Sequence, residues 1–168
     1  AVGAVDAAEV VFALGAAVNL PASAADAVDV YKSPYCGCCE KWVEHLQQAG
    51  FAVRTHDVND VPAARQRLGM PERLGSCHTA KVAGYVVEGH VPAADIQRLL
   101  KEKPKARGLA VPGLPMGAPG YEPTGADGSC ESGCTIFDPN SGERIPRREF
   151  FNTLLVAPDG RTKVWARH

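Results

Sequence analysis

Three cysteines fall within four residues in Cys36-Gly37-Cys38-Cys39, and a fourth stands in Ser76-Cys77-His78-Thr79. Cys36 and Cys39 have the C-x-x-C spacing of two thiols at the start of a helix. There the helix dipole and the free N–H groups of the first turn stabilise thiolate, so lowered pKa values are expected. That chemistry serves disulfide exchange and metal binding equally, and Cys38 separates the two. Plain exchange needs two sulfurs, and a third beside them competes for the disulfide. A single tetrahedral zinc gains little from it, because neighbouring residues such as Cys38 and Cys39 do not easily face one ion. Adjacent thiolates better suit sulfur that bridges more than one metal, and soft thiolates select Cu(I), zinc or iron–sulfur. The bland alternative is two structural disulfides among Cys36, Cys38, Cys39 and Cys77.

The remaining candidates are open between two roles. Cys130 and Cys134, four apart in a Gly/Ser stretch, form a local disulfide, add metal ligands, or serve the main site as a thiol pair. Met116 offers a thioether to Cu(I), or packs as a small anchor. His78 brings an imidazole next to Cys77, pointing towards it or away. His90, at a strand end, is expected at the surface or as a cap rather than as a ligand. His45 and His56 read as solvated faces, and the terminal His168 is a weaker candidate for the site. Trp42 is expected in the core behind the cysteines. Tyr35 shields the site or exposes its ring at the turn.

The elements that carry these residues alternate. Val28 and Val30 mark a strand, and the Ser33–Cys39 turn opens a helix with Cys39, Trp42, Val43 and Leu46 on one face. Gly50 ends that helix, and a second strand runs from Phe51 to His56. A short helix follows near Pro62–Leu68, then two strands about Gly84 within Ala80–Glu88, then a helix opened by Pro92 with Ile96, Leu99 and Leu100 on one face. The order β-α-β-α-β-β-α predicts a layered α/β sheet of thioredoxin-like type. In that fold the loop holding Cys77 faces the start of the first helix, which gathers the four sulfurs. Residues 104–125 hold five prolines and five glycines, so a loop without helix or central strand is expected there. Pro158-Asp159-Gly160 between Thr153–Ala157 and Thr162–Ala166 predicts a C-terminal β-hairpin returning to the sheet edge.

The chain has 168 residues, which fits one domain at about 150 residues each. Residues 25–168 are read as a single domain with a Gly/Pro-rich loop at 104–129. A net charge of -1 excludes a nucleic-acid reader built on a basic field and gives no polybasic membrane patch. No apolar run reaches the roughly 18 residues of a membrane span. Residues 1–24 are Ala-rich, with the apolar Val10–Val18 and an A-x-A pattern at Ala22-Ser23-Ala24. They read as an export-signal remnant or an added lead, against the alternative of an N-terminal helix on the domain. Export implies an oxidising compartment.

The strings CGCCEKWVEHLQQAGF, LGSCHTAKVAGYVVEGHVPAADIQRLL, GLAVPGLPMGAPGYE and TLLVAPDGRTKVWARH resemble the small periplasmic copper-resistance proteins of CopG/PcoG type, over about residues 27–168. The resemblance implies a thioredoxin-like fold binding copper through Cys36, Cys38, Cys39 and Cys77. It also implies a multi-copper, sulfur-bridged cluster and a role in cycling copper between Cu(I) and Cu(II). Copper ions and other periplasmic copper-handling proteins are the implied partners. The proline-rich segment of relatives often reads GMP and PGME, whereas here Gly113-Leu114-Pro115 and Gly120-Tyr121-Glu122 stand, leaving Met116 alone. Cys130 and Cys134 then either replace the lost thioethers or supply electrons by closing to a disulfide. Ordinary thioredoxins carry a cis-proline opposite C-x-x-C, where this sequence has Cys77-His78-Thr79, which points to binding rather than general exchange. The rival readings are a metal-free thiol–disulfide oxidoreductase and a structural zinc module.

Overall fold

A computed structural model describes residues 27–123 and 134–168. The lead at 1–24, Cys130 and the last part of the Gly/Pro-rich segment lie outside the described residues.

The first strand, β1 (Val28–Lys32), leads into α1 (Gly37–Gln48), β2 (Val53–Asp57) and α2 (Val61–Leu68). A 3-10 turn at Glu72–Leu74 precedes β3 (His78–Val82), β4 (Tyr85–Glu88) and α3 (Ala93–Glu102). The predicted elements are therefore present in the predicted order. The α1 face is buried at Cys39, Trp42, Val43 and Leu46, as the i, i+3, i+4, i+7 spacing requires. Between β3 and β4, Ala83 (φ 47°) and Gly84 (φ 83°) make the two-residue turn with both φ positive that suits a twisted hairpin.

Beyond α3 come β5 (Gly108–Ala110), β6 (Thr135–Phe137), β7 (Arg144–Pro146), β8 (Asn152–Val156) and β9 (Thr162–Arg167). One seven-stranded sheet has the order β2-β1-β3-β4-β5-β8-β9, and β6 and β7 form a separate two-stranded ribbon. The β8–β9 hairpin closes the sheet edge as predicted. The expectation of no central strand in the Gly/Pro-rich segment is overturned, since β5 pairs with β4 on one side and β8 on the other. Residues 105–111 contain no proline, and Gly108 admits the close approach: a Cβ there would stand 1.7 Å from the Val86 carbonyl oxygen.

The sheet is buried on both faces at its centre, in β4 and β5, while its edge strands β2 and β9 are largely exposed. Val87 and Leu109 join the cluster formed with α1 and α3, around Trp42, Leu46, Ile96 and Leu99. Their neighbours Val86 and Ala110 point the other way, to Met70, Leu74 and Val156. This is a thioredoxin-like α/β fold with a C-terminal β-hairpin added to it.

Candidate metal centre

Two elements bring the sulfurs together. The turn after β1 is closed by the Cys36 N–H donating to the Ser33 carbonyl at 3.2 Å, and α1 starts with Cys36 as its cap. Lys32, 2% exposed, holds this turn from beneath: its Nζ pairs with Glu40 of α1 at 2.5 Å and with Asp57 of β2 at 2.9 Å. Cys77 immediately precedes β3, which lies antiparallel beside β1, so its sulfur arrives against the first turn of α1. The Sγ atoms of Cys36, Cys38, Cys39 and Cys77 all lie within 4.8 Å of one another. Cys36 and Cys39 are joined as a disulfide with Cα atoms 5.3 Å apart, while Cys38 and Cys77 are free thiols. Cys38 Sγ stands 3.5 Å from Cys36 Sγ and 3.9 Å from Cys77 Sγ.

Two imidazoles complete the group. His78 Nδ1 lies 3.6 Å from Cys77 Sγ, and His90 Nε2 lies 3.1 Å from it. Both rings are fully buried. His90 is thus corrected from a surface or capping residue to a member of the site. The turn at Gly89 (φ 73°), closed by the Val91 N–H on the Gly89 carbonyl, swings its ring back over Cys77. His90 Nδ1 donates to the Pro119 carbonyl at 2.6 Å. A carbonyl only accepts, so the ring proton sits on Nδ1 and the Nε2 lone pair faces Cys77. His78 packs on Trp42 with ring centroids 4.3 Å apart, and Trp42 Nε1 donates to the Val91 carbonyl at 2.9 Å. The expected place of Trp42, in the core behind the cysteines, is confirmed.

The described part of the Gly/Pro-rich segment, up to residue 123, forms a strap over this edge. A Cβ on Gly120 would stand 2.6 Å from the Trp42 nitrogen and 2.9 Å from the Cys38 carbonyl, so the strap lies directly on the first turns of α1. Its φ of +83° also suits glycine.

Burial and the neighbouring Cys38 push the Cys77 thiol up to about 12. Its proton has an acceptor in His90 Nε2. Burial pulls His78 well below the ordinary imidazole range, with His90 adding to the effect, and burial likewise lowers His90. Both rings are therefore neutral, the form that donates a lone pair to a metal. His78 Nε2 is buried with no hydrogen-bond partner. Four sulfurs, neutral imidazoles and an unpartnered buried ring nitrogen are a donor set that fits a soft or borderline metal ion such as copper.

The other candidates sit elsewhere or carry different contacts. Met116 is held through its backbone, which exchanges hydrogen bonds with Glu149: its N–H donates to the carboxylate and its carbonyl accepts from the Glu149 N–H. Cys134 is disulfide-bonded. His168 Nε2 pairs with Asp95 at 2.9 Å, and its ring stacks on Phe151. His45 accepts from the Ala93 N–H and is half-buried rather than fully solvated. His56 is exposed and pairs with Asp29. Tyr35 is 94% exposed, so it presents its ring to solvent and shields nothing.

Fold and side chains together define a thioredoxin-like protein that gathers a cysteine–histidine group at the start of α1. Residues 28–73 match the glutaredoxin family, and residues 74–121 match a family described as protein of unknown function, DUF411. Two solved structures of a copper resistance protein, CopG, in forms 1 and 2, are each 37% identical to this chain. The form 2 structure has a TM-score of 0.68, with 85% of this chain and 98% of that chain covered. For form 1 the TM-score is 0.67, with 84% and 96% covered. No curated protein matches. The chain belongs to the CopG copper-resistance family. Among the described residues no helix is long and apolar enough to cross a membrane.

Proposed function

We propose that this chain is a periplasmic copper-binding protein of copper resistance. Its cargo is Cu(I), held by Cys36, Cys38, Cys39 and Cys77 with sulfurs bridging more than one ion. The observation that carries this reading is the approach of all four sulfurs to within 4.8 Å of one another, with His90 Nε2 aimed at Cys77. His78 and His90 extend the ligand set beyond sulfur. Imidazole suits Cu(II) as well as Cu(I), so a mixed set suits a site that meets both states. In this reading Met116 is an auxiliary ligand, and Cys130 and Cys134 act only after the disulfide at Cys134 is reduced, as further ligands or as an electron source. The disulfides at Cys36–Cys39 and at Cys134 accord with an oxidising compartment.

Interconversion of Cu(I) and Cu(II) is the second step of the proposal. Two Cu(I) ions release two electrons on becoming Cu(II), and the Cys36–Cys39 disulfide takes up two electrons and two protons to give two thiols. The reverse reaction returns both. Replacing Cys36 and Cys39 by serine should lower the Cu(I) stoichiometry of the reduced chain and abolish protein-dependent oxidation or reduction of copper. Unchanged stoichiometry would overturn the reading.

The Cys36–Cys39 disulfide also favours a second reading, a metal-free thiol–disulfide oxidoreductase. That protein would reduce disulfide substrates at full rate without copper. The third thiol, Cys38, 3.5 Å from Cys36, argues against it because it competes for the same bond.

A further inference from the structure

The sheet behind Cys77 contains a buried ion pair that the proposed ligand set does not use. Arg65 of α2 is 3% exposed and Glu88, at the end of β4, is 0% exposed. Two buried charges are costly to desolvate, and apolar replacements of similar volume are often as stable, so stability alone is weak ground for keeping such a pair.

Its geometry gives another ground. Arg65 Nε donates to Glu88 Oε1 at 2.8 Å, and the Ser76 N–H donates to the same oxygen at 2.8 Å. Arg65 Nη2 donates to the Ser76 carbonyl at 2.6 Å, and Nη1 to Glu72 at 2.9 Å. The backbone of Ser76 is therefore held on both sides by one ion pair. The Ser76 carbonyl shares a peptide plane with the Cys77 nitrogen, so fixing it fixes the direction in which Cys77 leaves the chain. The Ser76 hydroxyl adds a bond to the Gly113 carbonyl at 2.5 Å, and the Gly113 N–H donates to Gly75 at 3.0 Å. Two glycines leave room for the clamp: a Cβ on Gly75 would stand 2.9 Å from Arg65 Nη1, and one on Gly89 2.7 Å from Ser76 Cβ.

We propose that Arg65 and Glu88 are positioning residues for the copper site, clamping the Ser76–Cys77 peptide so that the Cys77 sulfur faces both Cys38 and His90. This inference rests on the copper-binding reading above. Outer contacts of this kind are worth about tenfold to a hundredfold in metal affinity.

The test uses the full reduced chain. The double variant Arg65→Met with Glu88→Met removes both charges together and leaves no unpaired buried ion. Three quantities are read: Cu(I) affinity against a competing chelator, the alkylation rate of Cys77 in metal-free protein resolved by peptide mass, and circular dichroism. The double variant should keep its dichroism, lose about tenfold or more in affinity, and alkylate faster at Cys77. A folded double variant with parental affinity and parental alkylation overturns the proposal. If the double variant does not fold, Arg65→Lys decides the matter, because lysine keeps the charge beside Glu88 but not the planar fork that reaches three acceptors. Faster alkylation in that variant supports the clamp, and the parental rate overturns it. Cys77→Ser separates the two claims. Unchanged Cu(I) affinity there removes Cys77 from the copper site, while the alkylation data still decide whether the ion pair positions it.

Discussion

His90 Nε2 lies 3.1 Å from the sulfur of Cys77, while the opposite ring nitrogen donates to the Pro119 carbonyl at 2.6 Å. One ring thus links the thiol before β3, the turn after β4 and the Gly/Pro-rich strap. A partner that can only accept fixes the tautomer, as hydrogen bonds behind a ligating histidine commonly do. The lone pair that a metal would use is aimed at the sulfur before any metal arrives.

Removing this ring should weaken the site and loosen the strap together. His90→Ala is expected to lower Cu(I) affinity by about tenfold to a hundredfold, as for the loss of a ligand's supporting contacts. Chelator competition measures the affinity, and limited proteolysis of the metal-free chain around Pro119 measures the strap. Parental values in both would show that the contact is incidental.

The oxidation state of Cys36 and Cys39 should control loading. With the disulfide closed, the sulfur group offers only Cys38 and Cys77 as free thiols. Copper uptake by the chain as isolated in air should therefore be lower than after reduction, and should rise with the number of titratable thiols. Equal uptake in both states would mean that Cys36 and Cys39 are not ligands.

Gly120→Ala tests the strap from its other contact. The new Cβ would stand 2.6 Å from the Trp42 nitrogen at a φ of +83°, and backbone on both sides leaves little to give way. A loss of about 1–3 kcal/mol is expected, read as a lowered Tm with reduced copper affinity. A Tm within a degree of the parent would show that the strap lifts away without cost.

Acid should weaken the outer edge of the sheet at a defined point. Asp29 of β1 accepts both guanidinium bonds of Arg54 at 2.9 and 2.8 Å, and His56 adds a third. Arg54 first, and His56 second, hold its carboxyl at about 2, against 3.8 in the unfolded chain. The unfolded chain therefore takes up this proton first as the pH falls. The stabilisation is complete above pH 3.8 and is lost as the pH passes through about 2. Solvent screening limits it to about 1 kcal/mol. In Asp29→Asn the stability difference from the parent should be full at pH 6 and shrink steadily as the pH falls from 3.8 towards 2. A difference that does not change with pH would assign the effect to something other than the carboxylate charge.

Local pattern revealed much of this molecule. The spacing of Cys39, Trp42, Val43 and Leu46 places one face of α1 in the core, and Pro158-Asp159-Gly160 places the last hairpin. Cys77 could be set opposite the other cysteines because the order of strands and helices fixes which loop faces the start of α1. The strand β5 was hidden because its three residues are held by partners far along the chain, β4 and β8, and their own composition argues for a loop. Local propensity loses to pairing on both sides of so short a segment. His90 was hidden for a similar reason. A lone histidine after a strand has no periodicity to interpret, and only the Gly89 turn and the Pro119 carbonyl bring it onto Cys77. The glycine before it is the one local sign that the chain doubles back there.

The most direct test of the account is the number of copper ions retained per chain after anaerobic loading of the reduced protein with excess Cu(I) and desalting against a competing chelator. More than one copper per chain, with a drop in Cys77→Ser, is the predicted result. No retained copper, with Cys36 and Cys39 titrating as a reversible disulfide, would contradict it and assign the chain to thiol–disulfide exchange.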